Sequence, residues 1–123
     1  MSDKNREILE VLRFELKFLE DGGYGRSPHA PWRAPSIFED SPICLNFSDP
    51  GRPYPCSECL LTQLVPADLR GQDVPCRFIP LNEKGQTLAS LYRFATQIEI
   101  EEALRDWLRR EISRIETGQA TAA

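Results

Sequence analysis

The chain has 123 residues, 41% hydrophobic and 28% charged, the proportions of one soluble globular domain of a size that folds alone. Its net charge of -4 argues against a general nucleic-acid binder, because backbone binding rests on surplus Lys and Arg. The charged opening Met1–Glu7 leads into no uninterrupted apolar stretch, and no run is long enough to cross a bilayer. We therefore expect no signal peptide and no membrane partner, and by default a cytoplasmic location, where disulfides are rare.

All ten prolines fall between Pro28 and Pro80, which divides the chain into a proline-free start, a proline-rich middle and a proline-free end. The first part predicts a helix over 1–21, centred on Asp3 to Glu20. Leu9, Leu12, Leu16 and Leu19 repeat at helical spacing, and Ile8, Val11, Phe14 and Phe18 widen that face. Asp21-Gly22-Gly23 ends it, with glycine free to take a left-handed cap. Phe14 to Phe18 also alternates as a strand would, but the leucine spacing runs longer. So broad an apolar face asks for cover, and a partner protein or a second copy would supply it.

The middle, residues 22–95, reads as turns and short extended pieces, since proline removes an amide donor and breaks helices. Gly22-Gly23-Tyr24-Gly25 lacks the lysine and setting of a phosphate loop, and reads as a helix stop. Pro28 to Pro35 has the proline spacing of polyproline II, with Trp32 inside it. Val74 to Leu81 and Thr87 to Tyr92 predict a β-hairpin around the turn Asn82-Glu83-Lys84-Gly85, with helix as the rival reading of 88–94. Thr96-Gln97-Ile98-Glu99 is a capping box opening a helix over 96–117. Its apolar stripe is Ile100, Leu104, Trp107, Leu108, Ile112 and Ile115; Gly118 closes it and 119–123 is a tail. Glu101–Arg105 and Asp106–Arg110 stand at the spacing of helical ion pairs.

The chemistry lies in four cysteines spaced Cys44-x11-Cys56-x2-Cys59-x16-Cys76. A Cys-x-x-Cys turn sets two sulfurs on one side of a tight loop, where nearby backbone amides also donate to them. Cys44 and Cys76 each closely follow a proline in an apolar piece that reads as extended, so two strands would each deliver one more sulfur. Four thiolates in this pattern point to a structural, closed Zn²⁺ site. An iron–sulfur cluster, a redox dithiol at Cys56 and Cys59, and four unrelated buried cysteines are the alternatives. His29, the sole histidine, is a candidate to replace Cys44 as fourth ligand. One histidine makes no catalytic triad, and four committed sulfurs leave no open metal position, so the chain reads as non-enzymatic.

The sequence thus predicts an α+β fold: two long helices packed on a small proline-rich β region with one hairpin, organised by a metal site of four cysteines, as one domain over 1–118. Function reads as a zinc-binding accessory or interaction protein whose metal shapes a docking surface. A small redox or electron-transfer protein is the alternative.

Overall fold

The fold is that of a computed structural model that describes residues 3–25, 36–46 and 53–117. Helix α1 spans Asp3–Glu20 and α3 spans Gln97–Glu116, with the four-residue α2, Leu88–Leu91, between them. No strand occurs among the described residues, so the α+β expectation is corrected: this part of the chain is helical. His29, Trp32, the Pro28–Pro35 stretch, Gly118 and the tail lie outside the described residues.

Both long helices end where the sequence predicts. Gly22 adopts φ 80° and its amide donates to the Leu19 carbonyl, 3.1 Å, closing α1. At α3 the Thr96 hydroxyl accepts the Glu99 amide at 3.1 Å and the Glu99 carboxylate accepts the Thr96 amide at 2.8 Å. All six residues of the α3 stripe are buried. They pack against Ile8, Leu9, Leu12 and Leu19 of α1, and each fully buried Leu contributes about 1.5–3 kcal/mol. Arg13 pairs with Glu116, and Arg109 with Glu20 at 2.8 Å, so the two helices run antiparallel. These exposed pairs set register more than stability. Arg110 donates to the Leu81 carbonyl, so the Asp106 pair its spacing suggests is not the one it makes.

The middle is a chain of 3-10 turns: Cys56–Glu58, Leu60–Leu64, Ala67–Leu69 and Pro75–Phe78. Proline starts three of them. Pro55 and Pro66 stand immediately before a turn, and Pro75 at its first position, where the fixed φ suits the helical sense and the missing amide costs nothing. This is the physical reason that the hairpin expectation fails. Its first arm, Val74 to Leu81, holds the Pro75–Phe78 turn. Its second arm is α2, nucleated by a second capping box in which the Thr87 hydroxyl accepts the Ser90 amide at 3.2 Å and the Ser90 hydroxyl accepts the Thr87 amide at 2.9 Å. The Asn82–Gly85 turn does form, with Gly85 at φ 75° and its amide 3.0 Å from the Asn82 carbonyl, but Leu81 to Gln86 at 2.8 Å is where pairing stops.

Leu61, Val65, Ile79, Leu81, Leu88 and Leu91 carry the middle into the core beneath α1 and α3. Ile37 and Phe38 join them, the Phe38 ring meeting Trp107 edge-on at 6.3 Å. Ile8 is buried within the chain, and Val11 and Phe18 are half-buried against the core, so most of the broad α1 face is covered without a partner.

Candidate functional site

Three separate segments meet near the cysteines, and specific polar contacts tie them together. Asn46 joins the first two. Its side-chain amide donates to the Tyr54 carbonyl and its amide oxygen accepts the Tyr54 N–H, both at 2.9 Å, which copies a two-strand hydrogen-bond pair with one side chain. Cys44 stands two residues before Asn46 and Cys56 two residues after Tyr54, so this clasp brings their segments alongside one another. Glu39 joins the third segment: Arg77, next to Cys76, grips its carboxylate with two bonds of 2.9 and 3.0 Å. The Arg77 guanidinium also lies over the Tyr92 ring, 5.9 Å from its centre, and the Tyr92 hydroxyl accepts the Ile37 amide at 2.9 Å.

The Cys-x-x-Cys turn is built locally. The Cys59 amide donates to the Cys56 carbonyl at 3.0 Å, and the Thr62 hydroxyl donates to the same carbonyl at 2.6 Å. The Cys56 sulfur lies 3.9 Å from the Asp73 carbonyl, linking the turn to the segment that carries Cys76. Cys44 falls in the turn of residues 41–46 and Cys76 in the Pro75–Phe78 turn, so the two strands expected to present them are replaced by two turns.

Cys44, Cys56, Cys59 and Cys76 all line one largely enclosed cavity of about 30 Å³, walled by Phe38, Leu61 and Pro75. A single water needs on the order of 10–15 Å³ of such space, so the cavity has room for about two or three water-sized species. Burial pushes the Cys76 thiol far up, reinforced by the Glu39 carboxylate and by the other three sulfurs. Burial raises Cys59 as well; the backbone amides of Leu61 and Thr62 donate to its sulfur and oppose that rise, while Cys44 and Cys56 add to it. Among the described residues no set of three or more His, Cys, Asp or Glu side chains is placed so that it could hold a metal ion. What the fold presents is a small cavity lined by four cysteines, with burial pushing the Cys59 and Cys76 thiols above their ordinary range.

Four cysteine sulfurs line one small cavity, and the backbone amides of Leu61 and Thr62 donate to Cys59 there. Bound metal would supply the positive charge that keeps these thiols ionised against burial. All four cysteines named from the sequence come together here; the alternative ligand His29 lies outside the described residues.

Sequence reasoning missed the polar frame behind the site. Glu15 is fully buried; its carboxylate accepts from the Tyr24 hydroxyl and, at 2.7 Å, from the Ser41 hydroxyl. The Tyr24 hydroxyl in turn accepts the Phe38 amide at 2.8 Å. Phe38 holds φ 66°, the only positive φ of a non-glycine residue among those described, and it forms part of the cavity wall. The signal for Glu15 was present in its position, three residues after Leu12 and four before Leu19 on the buried stripe of α1. No family model, no curated protein and no solved structure matches this chain.

Proposed function

We propose that the chain is a small zinc-binding accessory or interaction protein, whose Cys44, Cys56, Cys59 and Cys76 form a closed, structural metal clamp that shapes a docking surface. One observation carries the reading: four cysteines from three separated segments line the same enclosed cavity. Its small volume favours a single ion over a multi-iron cluster, and the one carboxylate on its lining, Glu39, is held by Arg77. Four sulfurs on the ion leave it nothing to activate, so its contribution is structural. Binding free energy at such a site is on the order of 10 kcal/mol, enough to decide whether a centre made of short turns holds together. A cytoplasmic setting, where thiols stay reduced, suits that use.

Elemental analysis of the purified chain tests the reading. About one zinc per chain is expected, with no absorption in the visible. Iron with sulfide and a visible band would make it an electron-transfer protein instead. A chain free of metal whose Cys56 and Cys59 cycle between thiol and disulfide would make it a redox dithiol.

A further inference from the structure

A groove of about 470 Å³ opens between α1 and the segments that the cysteines tie. One wall is Glu7, Glu10, Val11 and Phe14 of α1; the other is Pro42, Ile43 and Leu60. Ile43 directly precedes Cys44 and Leu60 directly follows Cys59, so the second wall hangs from two of the four cysteines. The floor is apolar, and Phe14 leaves 48% of its surface in solvent there. The two charged side chains that line the groove are both acidic, with Lys4 and Arg6 one turn away on the same helix. Glu7 and Glu10 are exposed and neither has a cationic partner among the described residues. Two cations of the same helix are already engaged, Arg13 with Glu116 and Lys17 with Asp21.

We propose that this groove docks a basic amphipathic peptide segment of a partner protein, its apolar side chains entering over Phe14, Val11, Ile43 and Leu60 and its Lys or Arg meeting Glu7 and Glu10. This is the helix-in-groove or extended-segment mode in which apolar anchors give affinity and rim charge gives orientation. A basic partner is the complement of this rim, whereas an acidic one meets two carboxylates and a second copy of this chain brings the same two carboxylates to the contact. The inference touches the clamp reading in one respect: a metal at the cysteines would steady the second wall, although the groove is formed without one.

The test is a random 12-residue peptide library displayed on phage and panned against the full, metal-loaded chain. The peptides recovered should combine Lys or Arg with Leu, Ile, Phe or Trp. The best of them, synthesised, should bind at least tenfold more weakly to the Glu7→Lys/Glu10→Lys chain and to Phe14→Ala, with melting temperature unchanged in both, and equally well to Glu102→Lys. Peptides without basic residues, or binding indifferent to these substitutions, would overturn the proposal. So would a concentration-dependent dimer that Phe14→Ala dissolves, which makes a second copy the occupant. Metal content measured on the same sample separates the two ideas: zinc without charge-selective binding removes the groove and leaves the clamp, and charge-selective binding without zinc does the reverse.

Discussion

Glu15 shows how much a single position costs and organises. Its carboxyl sits on the buried face of α1, and burial lifts its pKa from the ordinary 4.5 to about 7, with the Tyr24 and Ser41 hydroxyls partly opposing the rise. The folded chain therefore holds this proton over a range where the unfolded chain has lost it. Stability linked to Glu15 is full below about pH 4.5 and is lost as the pH rises through about 7. The melting temperature should fall between pH 5 and pH 8, and Glu15→Gln, which removes the titration, should flatten that fall; an unchanged slope would show that the carboxyl does not titrate in this window. The position serves more than itself. Through Tyr24 it braces Phe38 in a left-handed backbone conformation that costs about 1–2 kcal/mol for a residue with a Cβ, and through Ser41 it holds the turn leading to Cys44. The position of Glu15 within the leucine stripe carried a signal of its burial, although sequence reasoning did not single it out. Its partners carried no such signal, because Tyr24 and Ser41 stand 9 and 26 residues away and form no local pattern.

At the scale of elements, what was legible followed from local rules and what was missed followed from choosing the wrong one. Helices α1 and α3 declared themselves by leucine spacing, a glycine stop and a Thr–Glu capping box, all within one or two turns of chain. The hairpin was inferred from β-favouring residues around an Asn82–Gly85 turn. The turn is real; its arms are not strands, because Pro75 starts a 3-10 turn and Thr87 with Ser90 caps α2. A serine at the third helical position is a weaker sign than glutamate, yet its hydroxyl reaches the same amide. Caps of this kind contribute about 1 kcal/mol. Thr96→Ala should lower the melting temperature by roughly 4 °C, at the lower end of what that loss does to a domain near this size. Thr87→Ala should loosen α2 and with it the Tyr92 contact to Ile37, read as faster amide exchange at Leu91 and Ile37; exchange that does not change would mean that packing alone holds α2.

For the whole molecule, two antiparallel helices form a firm back, and a centre of short turns is laid against them. The candidate site was legible in the sequence to the extent that all four cysteines reach one cavity. How they reach it was not legible, since the Asn46–Tyr54 clasp and the Glu39–Arg77 pair join residues 8 and 38 positions apart. Such turns bury little on their own, so a clamp among them would have a large effect. Removing the metal with a strong chelator should lower the melting temperature steeply and expose the centre to protease while α1 and α3 keep their helical signal. Cys56→Ser or Cys59→Ser should do the same without chelator, and full protease resistance in either variant would mean that no metal holds the turns.

The most direct test of the clamp is X-ray absorption at the zinc edge on the purified chain. Four sulfur neighbours at about 2.3 Å, with no nitrogen or oxygen in the shell, is the result this account predicts. A shell with one nitrogen, the mark of His29 in place of Cys44, or an absence of bound zinc altogether, would contradict it.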